Sequence, residues 1–378
     1  MCFNRTLTIR ERDALIRQDL PLRYRNAGFV LLLLAAVCVN ACHHDRPETD
    51  NENLQVVPLP VLSGEIELRV GVVSNPRFPG LSAQGIDDLL ARTAEMVEQQ
   101  FGIRLSFQRP EAITIQGFFA WLPPAMTRNR GTEIIDISTL DDAGIGRMQD
   151  SLTGTLEQYG YDRQQVLNYA VPYLEQPPVN DSLHEIAGAL VASLVTRLRY
   201  WQHETAADGR PVLDGTPYNE WVWWDSIGYG DMPYDVVITN QLVASAENYS
   251  MDVHSALRGG ITAGTTSYGK KSRLKAWSWV TLYPLLNDSP LLVTLRDDEH
   301  YSQRQVSDYA AAVLTHELGH LLLHLGHPFG VEGCLMSPMP LLKYREWYQG
   351  VDVKKCPLYS DEQMRPGAIT IDFHGDWP

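Results

Sequence analysis

The stretch that decides the fold is VLTHELGHLLLHLGHPFGVEGCLMSP, residues 313–338. Its apolar residues continue the pattern of residues 302–326, which predicts one long helix. His316 and His320 are four residues apart, so both imidazoles lie on one helix face and can reach a single metal ion. Glu317 lies one residue further round, where a carboxylate can take a proton from an attacking water and deliver it to a leaving group. The pattern predicts a metal site with a general base beside it.

The third metal ligand must come from beyond these two turns of helix. His324 is about 12 Å from His316 along an unbroken helix with a rise of 1.5 Å per residue, which is too far to share the ion. His327 follows Gly326, a residue that readily ends a helix in the left-handed conformation. A chain that turns at Gly326 brings His327 back to the metal. We therefore predict that His327 completes the ligand set, with His324 as a packing or outer-sphere residue.

The segment HELGHLLLHLGHPFGVEGCLM, residues 316–336, resembles the metzincins, zinc peptidases with the motif HExxHxxGxxH and a methionine-containing turn. It is most similar to the archaemetzincins, which place Cys-x-Met after the third histidine, as Cys334-Leu335-Met336 does here. Their later Cys-Pro-x-Cys is matched by CPLY at 356–359. The resemblance implies one catalytic Zn²⁺, a peptide or protein substrate, and Met336 as an apolar floor beneath the metal.

The sequence departs from the family pattern at the helix end. The family's glycine is Leu323 here, and the third histidine comes one residue late, with a glycine displaced to Gly326. The turn-forming residue and the histidine have moved together, so His327 remains the predicted ligand. A gluzincin-like site, in which a downstream acid such as Glu332 is the third ligand, is the alternative.

The cysteines depart from the family pattern as well. Archaemetzincins bind a second, structural zinc through four cysteines, and two of those positions are Pro328 and Tyr359 here. The remaining Cys334 and Cys356 cannot close a tetrahedral site. Two cysteines in an oxidising compartment favour a disulfide instead, which is worth about 3 kcal/mol for a loop of this length.

The N-terminal segment indicates export. The run FVLLLLAAVCV, residues 29–39, is short for a bilayer span and typical of a signal-peptide core. It ends in VNAC, which resembles the bacterial lipobox and implies cleavage before Cys42 and lipidation of its sulfur. We predict a signal peptide at 1–42, a flexible tether at 43–63 and a lipoprotein of the bacterial cell envelope, periplasmic or at the outer membrane. An uncleaved anchor is the alternative, and either arrangement exports the rest of the chain.

Composition limits the other partners. The chain has 378 residues, of which 44% are hydrophobic and 20% charged, as in ordinary globular proteins. The formal net charge of −15 argues against nucleic-acid binding, which needs a basic surface. Membrane contact is therefore expected through the lipid anchor only, and composition does not indicate an oligomeric state.

The remaining patterns predict an α/β (α+β), zincin-like fold, a mixed twisted sheet packed on the active-site helix. A strand, a helix with Ser82 as cap and Gly102 as stop, and a second strand open the domain at residues 65–107. Two further strands are predicted within 234–245 and 274–284, and the glycine-rich GGITAG at 259–264 is either a substrate-pairing edge strand or a loop. The catalytic domain would span 64–378, with a largely helical insertion at about 110–230.

These predictions combine into an exported, lipid-anchored zinc peptidase with Glu317 as general base and then acid. Tyr344, eight residues after Met336, is a candidate for stabilising an oxyanion, although an ordinary core or surface tyrosine fits the pattern as well. The alternative from another class of protein is a surface binding lipoprotein whose metal site is not catalytic.

Overall fold

The computed structural model of the chain describes residues 65–356, apart from 121–139, 159–162, 214–219, 230–231, 245–252, 268–276, 324 and 330. The predicted signal peptide, Cys42, the tether and His324 lie outside the described residues. All described residues belong to one compact unit of the chain. No helix in these ranges is both long and apolar enough to cross a bilayer.

The first part of the domain is a strand–helix–strand unit, as predicted. Its elements are β1 (Glu65–Leu68), β2 (Val70–Ser74), α1 (Ala83–Phe101) and β3 (Arg104–Phe107). The Ser82 side chain accepts a hydrogen bond from the backbone N–H of Gly85 at 3.1 Å and caps α1. Gly102 ends the helix with φ of 69°, a conformation that glycine adopts without steric cost. The return of the chain makes β1 and β3 parallel.

The main sheet is mixed and has five strands in the order β4-β2-β5-β7-β6. Its other members are β4 (Glu111–Thr114), β5 (Val236–Thr239), β6 (Gly264–Ser267) and β7 (Trp277–Thr281). β4, β2, β5 and β7 run parallel, and β6 pairs with β7 in the antiparallel direction. β5 and β7 are buried at every position, as expected for central strands covered on both faces.

The predicted insertion is largely helical, but its first residues belong to the sheet because β4 pairs with β2. The helices that follow are α2 (Ile115–Phe119), α3 (Asp142–Gln158), α4 (Arg163–Ala170), α5 (Leu183–His203) and α6 (Glu220–Tyr229). The short run of β4 was missed in the sequence because its four residues show no clear alternation of polar and apolar side chains. α5 packs against α3 and belongs to the same hydrophobic core as α1.

The remaining helices build the part of the domain that carries the histidines. They are α7 (Val253–Leu257), α8 (Tyr283–Leu286), α9 (Pro290–Leu295), α10 (Gln303–Leu323) and α11 (Tyr344–Gly350). α10 is the predicted long helix, and it packs between α1 on one side and β6 and β7 on the other. Its second half is buried at every residue. The predicted motif is therefore inside the domain, against the sheet edge formed by β6.

Candidate metal centre

Three imidazoles converge at the end of α10. The Nε2 atoms of His316 and His320 are 3.0 Å apart, and Nε2 of His327 lies 3.1 Å from the first and 3.0 Å from the second. Within the described part of the chain, these are the residues whose ligand atoms lie close enough together to hold a metal ion. His316 and His320 are buried, and His327 is half-buried at the open side of the cluster.

Backbone carbonyls determine which ring nitrogens face one another. Nδ1 of His316 lies 2.9 Å from the carbonyl oxygen of Leu335, and Nδ1 of His320 contacts that of Leu325. A carbonyl only accepts, so both Nδ1 atoms carry the hydrogen and both Nε2 atoms of the neutral rings present lone pairs. Two lone pairs at 3.0 Å repel unless a cation lies between them. The donor set therefore fits a metal ion.

Burial keeps His316, the first of the candidate ligands, in the form that can bind a metal. Desolvation lowers the pKa of His316 well below its usual value of 6.5, and the neighbouring His320 and His327 lower it further, against the hydrogen bond to the Leu335 carbonyl. His316 is therefore neutral at physiological pH. A neutral imidazole is the form that coordinates metal, so no proton has to be displaced from it on binding.

The return of His327 to the cluster differs from the predicted turn. α10 ends at Leu323, and the backbone N–H of Leu325 reaches back to the carbonyl oxygen of Gly319 at 3.4 Å. Gly326, which is a described residue, is not among the glycines with positive φ, so the predicted left-handed turn at this glycine is wrong. The chain has already left the helix before Gly326. The predicted consequence, an imidazole of His327 beside the other two, is nevertheless what the structure shows.

Glu317 is held against the edge strand β6. Its Oε2 atom accepts a hydrogen bond from Oγ1 of Thr266 at 2.8 Å. A Cβ atom on Gly264 would lie 2.8 Å from Oε1 of Glu317, so this glycine provides the space for the carboxylate. Burial raises the pKa of Glu317 to about 8, against the effect of the Thr266 hydrogen bond, which lowers it. Without a metal ion, the carboxyl group of Glu317 therefore keeps its proton to a higher pH than an exposed glutamate does.

The predicted methionine turn lies beneath the helix. Met336 is fully buried, and its Sδ atom lies 2.5 Å from the position that a Cβ on Gly319 would occupy. The turn therefore packs against α10 at Gly319, and its Leu335 carbonyl also orients His316. Cys334 and Cys356 are joined by a disulfide, the predicted pairing.

A small cleft opens beside the histidines and contains residues that the sequence patterns did not indicate. His316 and Glu317 line it together with Gly264, Arg258 and Trp347, among others. Trp347 in α11 donates from Nε1 to the carbonyl oxygen of Ser337 at 3.0 Å, which fixes the indole along the wall. No short motif links residues this far apart in the chain, so only the folded arrangement identifies them.

Three secondary predictions have different outcomes. Tyr344 is fully buried and stacked on Tyr309 in an aromatic cluster, which agrees with the alternative that it is a core tyrosine.

Glu332, the alternative third ligand, is exposed and does not belong to the cluster of ligand atoms formed by the three histidines. The edge strand begins at Gly264, whereas Gly259 and Gly260 form a turn with φ of 72° and 82°, so most of the GGITAG segment precedes the strand.

Comparisons of the chain with protein families, with curated proteins and with solved structures found no match. Three convergent imidazoles, a carboxylate beside them and an edge strand along the same cleft are the features that a function must explain.

Proposed function

We propose that this chain is a zinc-dependent peptidase of the metzincin type, with a zincin-like fold. The observation that carries the proposal is the convergence of the Nε2 atoms of His316, His320 and His327 next to the carboxylate of Glu317. Three imidazoles suit zinc, and catalytic zinc sites use three protein ligands and keep a fourth position open. Among the described residues, no cysteine, aspartate, glutamate or fourth histidine joins the cluster.

The metal ion and the residues around it would each contribute a different step to the hydrolysis of a peptide bond. A bound zinc ion supplies a Lewis acid that polarises the scissile carbonyl and acidifies water. Glu317 accepts a proton from the attacking water and then delivers it to the nitrogen of the leaving amine. Met336 and the buried half of α10 exclude bulk water from the inner side of the site.

The edge strand supplies a means of holding the substrate. In the described part of the sheet, β6 pairs with β7 on one side and with no strand on the other. An extended peptide could add to this free edge by backbone hydrogen bonds, antiparallel or parallel to β6. Because Gly264 of β6 contacts Glu317, such a peptide would be next to the general base.

The location of the enzyme is proposed from the N-terminal sequence. We infer that residues 1–42 direct export and that a lipid on Cys42 anchors the chain in the bacterial cell envelope, with residues 43–63 as a tether. The Cys334–Cys356 disulfide supports this inference, since such bonds persist in oxidising compartments. Replacing Cys42 with Ser should abolish incorporation of labelled palmitate in an expressing bacterium.

The test of the proposed chemistry separates metal binding from hydrolysis. We expect the purified protein to contain one zinc per chain and to cleave unfolded casein. The Glu317→Gln variant should keep the zinc, measured by plasma mass spectrometry, and lose activity by a factor of about 10²–10⁴. Glu332→Gln, which changes an exposed acid on the same segment, is the matched control and should retain both. Full activity of E317Q would contradict the role of Glu317.

Two further outcomes would favour the alternatives. A His327→Ala variant that binds as much zinc as the native chain would indicate an acidic third ligand, as in a gluzincin-like site. Zinc-loaded native protein that cleaves neither casein nor any member of a mixed peptide library would indicate a surface binding lipoprotein with a non-catalytic metal site.

A further inference from the structure

Arg258 is a buried cation in the wall of the cleft. It follows α7, is only 3% exposed, and lines the cleft together with His316 and Glu317. Its guanidinium donates from Nε to the carbonyl oxygen of Leu341 at 2.6 Å and from Nη2 to that of Met339 at 2.7 Å. Both carbonyls belong to the segment that follows the methionine turn. The side chain is therefore held rigidly beside the metal ligands.

The bonding of Arg258 differs from that of the other buried arginines. Arg197 pairs with Glu175, and Arg296 pairs with Asp288. In the described part of the chain, no carboxylate forms an ion pair with Arg258, and its Nη1 amine makes no hydrogen bond with these residues. The Glu317 carboxylate in the same cleft lies within electrostatic range, since Arg258 lowers the pKa of Glu317 against the effect of burial, but in the described part of the chain no anion contacts the guanidinium directly. This arrangement is typical of a binding site in which a ligand supplies the anion that contacts the guanidinium.

We propose that Arg258 recognises a carboxylate of the substrate next to the scissile bond. This inference rests on the proposed peptidase function and adds a substrate class to it. A guanidinium matches a carboxylate in a bidentate manner, and Nη1 is the part of Arg258 still available for such a contact. The cleft has a volume of about 30 Å³, room for two or three water molecules, which suits one small group.

The charge of the whole chain restricts the substrate further. The formal net charge of −15 repels peptides that carry many acidic residues. Because solvent ions screen charges over longer distances, Arg258 attracts only a single carboxylate that comes close to it. That carboxylate belongs either to an aspartate or glutamate side chain or to the C-terminus of the peptide. The two sources share the same chemistry, and the experiment separates them.

The first measurement uses the native zinc-loaded protein and four peptides of one sequence. They combine either glutamate or glutamine at the internal position next to the cleaved bond with either a free or an amidated C-terminus. We expect kcat/KM to be at least tenfold higher for a peptide with the recognised carboxylate. A preference for glutamate indicates the side chain, and a preference for the free acid indicates the C-terminus. Equal cleavage of all four would overturn the proposal.

The second measurement uses variants of the same protein. Arg258→Met should remove the preference for the carboxylate, so that the ratio of kcat/KM between the acidic and the neutral peptide falls towards one, and Arg258→Lys should restore part of this ratio. The matched control Arg304→Met changes an exposed arginine at the start of α10 and should keep the preference. An equal loss for acidic and neutral peptides in both Arg258 variants, with zinc content unchanged, would show a purely structural role and overturn the proposal.

The third measurement does not depend on peptidase activity. Ligand-detected NMR on chelator-treated, metal-free protein should show binding of N-acetylglutamate or of acetyl-alanine in preference to their amides, and Arg258→Met should abolish it. If the protein binds these carboxylates but cleaves no peptide, the proposed peptidase function is refuted and the carboxylate site is supported. If the native protein cleaves peptides but neither ligand binding nor substrate preference depends on Arg258, the carboxylate site alone is refuted.

Discussion

At the scale of single residues, Glu317, the proposed general base, is positioned from outside its own helix. The Thr266 hydroxyl lies 2.8 Å from Oε2 of Glu317 and 3.0 Å from the Glu317 carbonyl oxygen, and Ser278 Oγ lies 2.8 Å from the same hydroxyl. A hydroxyl has one hydrogen to donate, and the charged Oε2 is the stronger acceptor when Glu317 is ionised. Ser278 can then donate to Thr266 and complete a short chain of hydrogen bonds.

Replacing Thr266 with Val should therefore disturb catalysis without removing the metal. Loss of the hydrogen bond leaves the Glu317 carboxylate less stabilised, so we expect kcat to fall about tenfold and the pH at which activity reaches half its maximum to rise. Thr265→Val is the matched control, because successive side chains of a strand point to opposite faces. Unchanged pH profiles for T266V would show that Thr266 does not act through Glu317.

The ionisation of Glu317 should also appear in the stability of the metal-free protein. Burial raises the pKa of Glu317 to about 8, so between its ordinary pKa of 4.5 and pH 8 the folded state holds a proton that the unfolded state releases. The free energy of unfolding then decreases with rising pH by up to about 1.4 kcal/mol per unit. Urea unfolding of chelator-treated protein at pH 5, 6.5 and 8 should show this decrease relative to E317Q. Parallel profiles for the two proteins would contradict it.

At the scale of elements, α10 requires a small residue where it crosses the methionine turn. A Cβ on Gly319 would lie 2.5 Å from Sδ of Met336 and 2.9 Å from Cζ of Phe101 at the end of α1. The glycine therefore allows the helix, the turn and α1 to meet closely. This contact sets the depth of the two histidines on either side of Gly319.

Gly319→Ala should destabilise the protein although alanine favours a helix. The added methyl group overpacks the core, which typically costs about 1–3 kcal/mol, against a helix-propensity gain of about 1 kcal/mol. Gly154→Ala in α3 is the matched control, because nothing lies within 4 Å of a Cβ there. We expect G154A to raise the urea midpoint and G319A to lower it. A stabilised G319A would refute the close packing described.

At the scale of the whole molecule, the disulfide closes the segment that supplies much of the site. Between Cys334 and Cys356 lie Met336, the carbonyls that bind Arg258, and Trp347. This segment packs on α10 through α11, accepts a hydrogen bond from Arg92 of α1 at the Tyr348 hydroxyl at 3.1 Å, and shares their hydrophobic core. Its anchoring therefore couples the stability of the domain to the shape of the cleft.

Replacing both Cys334 and Cys356 with Ser should lower the free energy of unfolding by about 3 kcal/mol, the loop-closure value for the sequence separation of 22. Thermal unfolding of the double variant, compared with the native protein with and without reductant, measures the effect. Reductant should lower the melting temperature of the native protein and leave the double variant unchanged. If reductant does not change the melting temperature of the native protein, the disulfide contributes little to its stability.

The sequence by itself determined what depends on spacing along one element. Helical periodicity places His316 and His320 on one face with Glu317 beside them, and the Ser82 and Gly102 signals predict both ends of α1. These features follow from the geometry of a single helix and its caps, which neighbouring residues specify. The disulfide followed from the small number of cysteines left after the N-terminal segment.

Only the tertiary structure decided what depends on residues distant in the chain. The route by which His327 returns, the pairing of β4 with β2, and the approach of Thr266 and Arg258 to the histidines all arise from packing across the sheet edge and the methionine turn. Such contacts join segments of unrelated local pattern, and the free energy that selects them belongs to the assembled core. No spacing rule within a single element contains that information.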